Sequence, residues 1–157
     1  INTIDMLKQY KIACNLKVAF TVLEEVGMKG AQQIDESFFE GVTFAVSLDR
    51  RGETDIVVCT DGLEYCSEAE AEFISNLSKQ LWEKESYHYK AVEGGRSDLI
   101  VWSHLGIPSV NLSVGYREEH KESESLNIDA WHRVQDLLLE IITYKMEIAA
   151  LRRYGRA

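Results

Sequence analysis

Two adjacent carboxylates, Glu24 and Glu25, close the apolar run LKVAFTVL and stand just ahead of the glycine turn in TVLEEVGMKGA. The run is short, β-branched and aromatic, which predicts a buried strand over residues 16–23. A carboxylate that leaves the edge of a core needs a partner there. Asp49 follows the same pattern, because FAVSLD runs apolar to Leu48 and turns at RRG. His120 lies in the polar loop GYREEHKESESLN, directly after the strand-like PSVNLSV. Strand ends that gather carboxylates and an imidazole, without paired cysteines, suit zinc, cobalt or manganese bound for hydrolysis rather than a structural zinc. A further glutamate beside such ligands is placed to act as general base on water that the metal acidifies toward a pKa of about 7. Taken singly, Glu24 and Glu25 read as solvated loop residues and Asp49 as a turn-starting aspartate; it is their shared position at strand ends that points to a site.

The other histidines carry less. His88 falls in YHYKAV, His104 beside Gly106 and His132 on the final helical segment, and each reads as structural or surface. Nucleophilic Ser/His/Asp catalysis has no GxSxG elbow to rest on.

The elements that position these groups alternate between strand and helix. NTIDMLKQY reads as a short helix capped by Asn2 or Thr3, and AQQI as one helical turn. VTFAVSL and DIVVCT read as strands, with RRGETD as the turn between them. In SEAEAEFISNLSKQLWEK, Ser67 stands three residues before Glu70 at capping-box spacing, and Phe73, Ile74, Leu77 and Leu81 share a face. YHYKAV is a fourth strand closed by Gly94 and Gly95. SDLIVWSHLG is a short helix capped by Ser97 and stopped by Gly106, and PSVNLSV is a fifth strand. Apolar positions from Ile128 to Met146 predict one long final helix reaching Tyr154. This alternation predicts a single α/β domain over residues 1–157, three layers deep, with a largely parallel or mixed sheet.

Composition narrows the partners. The 157 residues carry 17 basic and 26 acidic side chains, a net charge of −9, which repels phosphate backbones and anionic lipid. Nucleic acid and membrane are therefore not expected. No apolar run approaches the roughly 18 residues of a membrane span. Three cysteines without CxxC spacing suit a reducing, cytoplasmic setting. The chain opens on Ile1, so it is expected to be part of a longer or processed polypeptide, and the basic ending RRYGRA reads as a solvated terminus.

In order along the chain, FTVLEEVGMKGA, SLDRRGETDIV, GGRSDLIVWSHLGIPSVNLSVG and EHKESESLNI together resemble the carboxyl-terminal half of the co-catalytic dizinc exopeptidases, the aminopeptidases that include bacterial glutamyl aminopeptidase. The resemblance implies that Glu24 is the general base, and that Glu25, Asp49 and His120 are metal ligands. It implies that Gly94, Gly95, Ser97 and Asp98 form the glycine-rich loop beside the substrate; read alone, that segment is a turn and a helix cap. The family also carries a His-x-Asp motif and a bridging aspartate upstream of the glutamate pair, and the first twenty residues contain no histidine. By resemblance, then, one metal has Glu25 and His120, the other has Asp49, and the chain is an incomplete zinc-exopeptidase half. Two divalent ions are implied in the complete enzyme, and one or none here.

The expected activity is removal of amino-terminal residues from peptides. Two other readings stand beside it: a non-catalytic binding or assembly module that keeps the fold, and a hydrolase of another bond, such as a deacylase or carboxypeptidase. An exposed sheet edge would need a cover, so a homo-oligomer is expected.

Overall fold

The computed structural model describes residues 2–154; Ile1 and the end of the basic tail lie outside them, as do the side chains of residues 2, 3 and 152–154. The chain begins with α1 (Asn2–Gln9) and two single 3-10 turns, Ala31–Gln33 and Glu36–Phe39. Strands β1 (Ala45–Arg50), β2 (Asp55–Thr60) and β3 (Leu63–Glu64) follow, then α2 (Glu68–Leu81), β4 (Lys90–Glu93) and α3 (Leu99–Trp102). After β5 (Ser109–Ser113), a small ribbon of β6 (Tyr116–Arg117) and β7 (Ser125–Leu126) leads to α4 (Ile128–Thr143) and α5 (Lys145–Tyr154).

The sheet is mixed, as expected. β1 runs parallel to β5, β5 antiparallel to β2, and β2 parallel to β4, while β3 folds back on the end of β2 as a hairpin. Successive residues of β2 face opposite sides, so Ile56 and Val57 serve two different cores. Ile56, Val110 and Leu112 pack with Ile74 and Leu77 of α2, Val134, Leu137 and Ile141 of α4 and Ile148 of α5. Val57 packs on the other side with Tyr65 and Leu99, against Ile100 and Trp102 of α3. The result is an α/β architecture with a thick helical layer on one face and a thin one on the other.

Local chemistry sets the element ends. The Ser67 hydroxyl accepts the Glu70 N–H while the Glu70 carboxylate takes the Ser67 N–H at 2.7 Å, the reciprocal cap expected for α2. Asn127 caps α4 by accepting from the N–H groups of Asp129 and Ala130. The final helix is broken at Tyr144, whose backbone leaves the helical region, so α4 and α5 are separate and α5 turns back onto α2. Ser97 is not the cap of α3: that position is held by Asp98, with no side-chain bond, although Gly106 ends the segment in the left-handed region as predicted. The three thiols are free, and burial pushes Cys66 up to about 12, so it is a packing residue.

One expected element is absent. Residues 16–23 form no strand, and Leu16, Val18, Phe20 and Val22 are 44, 46, 85 and 66% exposed. The pattern is that of a strand covered on its faces, but no described strand pairs with it. It is held instead by Lys17, whose Nζ donates to the carbonyls of Phe38 and Glu40, and by Lys145, which donates to the carbonyl of Ala13.

The turn joining β1 to β2 is gripped from several directions. Ser113 Oγ donates to the Arg51 carbonyl at 2.7 Å and accepts the Asp55 N–H, and the Gly115 N–H donates to the Gly52 carbonyl. Gly115 has φ +100, and a Cβ there would lie 2.7 Å from the Asn127 carbonyl, so only glycine fits. Glu53 accepts from Asn127 and Arg133, both at 2.8 Å, and from Arg117, and these donors hold its carboxyl below the usual glutamate range. Arg133 is 8% exposed and also stacks over the Tyr87 ring at 4.0 Å.

Replacing Glu53 strands a buried guanidinium, so Glu53→Ala is expected to cost about 2–3 kcal/mol at neutral pH. A depressed folded pKa gives stability that is full above the ordinary value of 4.5 and is lost as pH falls through the folded value. The gap between wild type and variant, measured by urea unfolding, should therefore narrow from pH 7 to about pH 3. An equal gap at both values would overturn this account.

Candidate active site

Glu24 and Glu25 sit on a tight turn rather than at the end of a paired strand. The Glu24 carbonyl accepts the N–H groups of Gly27 and Met28, and Leu23, Gly27 and Met28 all have positive φ. Gly30 closes the turn: its N–H donates to the Val22 carbonyl, and a Cβ there would fall 2.4 Å from that oxygen. Sequence reasoning placed the glycines correctly and misread what precedes them.

Asp49 is presented by β1, where the register with β5 shifts between Ser47 and Arg50. At that irregularity the Asp49 N–H donates to Asn111 Oδ1 at 3.1 Å. Asn111 is buried in the middle of β5 and was missed in the sequence, though a polar residue inside PSVNLSV is a visible signal. His120 adopts positive φ on the loop between β6 and β7, where its N–H donates to Glu124 and Arg51 ties the neighbouring Glu119 to the β1–β2 turn at 2.7 Å.

These pieces converge. Glu24, Glu25, Asp49, Gly95 and His120 line one cleft of about 800 Å³, together with Arg51, Arg96, Asn111 and Tyr116. His120 Nε2 lies 2.7 Å from Glu25 Oε1, with both side chains well exposed. Of the predicted loop, Gly95 alone lines the cleft. Gly94 packs against Val57, where a Cβ would meet its methyls at 2.5 Å, while Ser97 and Asp98 are buried beneath. Ser97 Oγ and Asp98 Oδ1 have no hydrogen-bond partner among the described residues. His88, His104 and His132 lie elsewhere: His88 contacts the Trp82 carbonyl, His104 pairs with Glu36, and His132 meets Trp131 edge to face.

The cleft is electrostatically crowded. Burial first, then Asp49, Glu25 and Asp98, push the Glu24 carboxyl up; burial, Asp98 and Glu25 do the same to Asp49. His120 is the one charge that opposes both shifts. Carboxylates that share a cleft with a single imidazole form a donor set that fits a divalent cation in kind. In number it falls short: among the described residues no three His, Cys, Asp or Glu side chains are grouped to hold a metal.

The fold is similar to that of the TET aminopeptidase of a marine-sediment Thaumarchaeota archaeon, with a TM-score of 0.73 and 21% identity over 95% of this chain and 46% of that one. It is also similar to the TET1 peptidase of Pyrococcus horikoshii, which assembles into a tetrahedron or a large octahedral shell, with a TM-score of 0.67 and 20% identity over 90% of this chain and 44% of that one. The chain thus spans under half the length of these structures. No curated protein matches the sequence. The model of the M42 glutamyl aminopeptidase family matches residues 1–137, most of the chain, and the chain belongs to that family.

Proposed function

We propose that this chain supplies part of the catalytic centre of a metal-dependent aminopeptidase that removes amino-terminal residues from peptides. The observation that carries the reading is the gathering of Glu24, Glu25, Asp49 and His120 in a single cleft, with His120 Nε2 2.7 Å from Glu25 Oε1. Glu25 and His120 would hold one divalent cation and Asp49 would belong to a second; zinc, cobalt and manganese all suit these donors. When bound, such a cation would supply polarisation of the scissile carbonyl and acidification of water. Glu24 takes the proton from the attacking water and delivers it to the departing amide nitrogen; its raised pKa moves it toward the value a neutral-pH base needs. The carboxylates attract the free α-amine of the peptide. Gly95, whose carbonyl is held by Thr60 Oγ1 at 2.9 Å, offers the substrate an anchored backbone. The dodecamers and shells of the TET structures support a homo-oligomer.

A second reading, a binding or assembly module without catalysis, is favoured by the lack of any grouping of three ligand side chains among the described residues. Metal binding separates the two. The peptidase reading expects zinc to raise the unfolding midpoint of the 157-residue chain, and His120→Ala to abolish the effect. A folded chain indifferent to zinc, cobalt and manganese would favour the module.

For the full-length polypeptide that contains this chain, release of amino-terminal residues from short peptides should require added metal and stop with chelator. Glu24→Gln should slow it by roughly 10²-fold or more, the scale of a lost general base. No metal-dependent release by that polypeptide would refute the peptidase reading.

The metal-free site should also be under strain. A carboxyl whose folded pKa is raised makes stability fall as pH climbs from the ordinary value, 3.8 for Asp49, through the folded one. Asp49→Asn is therefore expected to stabilise the metal-free chain at pH 7. The gain should vanish near pH 3, where both forms are neutral, as read by thermal unfolding across pH. Destabilisation at pH 7 would contradict the repulsion described here.

A further inference from the structure

Asn111 is placed where folding leaves half of its amide unused. It lies in the middle of β5, in register with Ser47 of β1 on one side and Val57 of β2 on the other, so the sheet fixes its backbone from both flanks. Its neighbours Val110 and Leu112 turn into the helical core, and Asn111 therefore points to the opposite face, where it lines the cleft. Among the residues that line the cleft it is the one buried polar side chain, at 4% exposure. A backbone N–H bonds only to the oxygen of an amide, so the Asp49 N–H dictates how the group is turned, with Oδ1 at Asp49. Nδ2 donates to no group among the described residues, and it is not sealed off as Ser97 Oγ and Asp98 Oδ1 are, so its protons open on the cleft.

A buried amide with an unused donor is costly unless a partner takes it in the working state. The chemistry of the cleft narrows that partner. Glu24, Glu25 and Asp49 attract the α-amine of a peptide but repel the electron-rich oxygen of the carbonyl that follows it. A carbonyl beside that wall needs a donor that leaves the carboxylates their charge, and a donor already held by the sheet loses little freedom on binding. Resting on the aminopeptidase reading above, we infer that Asn111 is a substrate-contacting residue: its Oδ1 holds Asp49, and its Nδ2 donates to the carbonyl oxygen next to the free amine of the bound peptide. A carbonyl oxygen has two lone pairs, so this bond leaves the second one free. One side chain thereby ties the position of the substrate carbonyl to that of Asp49.

The test titrates two amines into the metal-free 157-residue chain at neutral pH with chelator present. Leucinamide carries an α-amine and one carbonyl; isopentylamine keeps the amine and the branched chain and has no carbonyl. In wild type, leucinamide should move the side-chain amide signals of Asn111, followed by proton–nitrogen NMR, to lower field, and isopentylamine should leave them nearly in place. Asn111→Asp keeps an acceptor for the Asp49 N–H and loses the donor, while its added charge acts on both amines alike. The ratio of leucinamide to isopentylamine affinity should therefore fall roughly threefold to tenfold in that variant, the scale of one neutral hydrogen bond. Equal shifts from the two amines, no binding of leucinamide, or a ratio unchanged in Asn111→Asp would overturn the inference, and the wild-type titration decides alone should the variant not fold. Failure of the peptidase reading has a different signature: zinc would leave the unfolding midpoint of the wild-type chain unchanged, whether or not leucinamide moves the Asn111 signals.

Discussion

The turn between β1 and β2 is the constraint on which the cleft depends. Ser113 at the end of β5 clasps both sides of it, through the Arg51 carbonyl and the Asp55 N–H, and Glu53 at its tip draws in Arg117, Asn127 and Arg133. These bonds connect three things that are remote in sequence: the end of β1 that presents Asp49, the ribbon that leads to His120, and the first turns of α4. A neutral surface turn would do none of this. Glu53 does so because Arg133 is nearly buried and needs a carboxylate, so the energy that fixes the turn comes from the cost of leaving that charge unpaired.

That frame imposes an opposite condition a few ångströms away. The outer end of the turn satisfies its charges, whereas the cleft beside it collects carboxylates that push one another's pKa upward. The His120–Glu25 contact is exposed on both sides and is worth at most about 1 kcal/mol, too little to offset the crowding. Satisfied charge at the support and unsatisfied charge at the site is the pattern of a protein that spends folding energy to hold a binding surface.

How far the sequence discloses this depends on whether the signal is local. DIVVCT reads as a strand and is one residue for residue, and the Ser67–Glu70 cap fixes the start of α2, because period and capping are short-range. The shared position of Glu24, Glu25, Asp49 and His120 at one cleft was also legible, since each follows an apolar run and stands near a glycine. The break at Tyr144 was not, because no glycine or proline marks it and the turn-back of α5 is set by packing on α2. Ser97 looked like a cap and is buried instead, displaced by one residue from the position its type suggests. Asn111 was overlooked because its partner, the Asp49 N–H, lies 62 residues away.

The segment before Glu24 is the most instructive misreading. Residues 16–23 have strand chemistry, yet a strand is defined by its neighbours' hydrogen bonds and not by its own side chains. With no described strand beside it, the segment forms no ladder and leaves much of its apolar surface in solvent, and Glu24 and Glu25 depend on the Gly27–Gly30 turn for their position. Asp49, by contrast, is carried by a strand within the sheet. The cleft thus joins two unequal supports: a ladder-held wall bearing Asp49 and a turn-held wall bearing the glutamates. A β-ladder fixes side-chain direction at every second residue, whereas a turn fixes mainly its own backbone. The proposed general base, Glu24, and the proposed ligand beside it, Glu25, therefore sit on the less constrained wall, and the distance most sensitive to whatever pairs with residues 16–23 is the one between Glu24–Glu25 and Asp49.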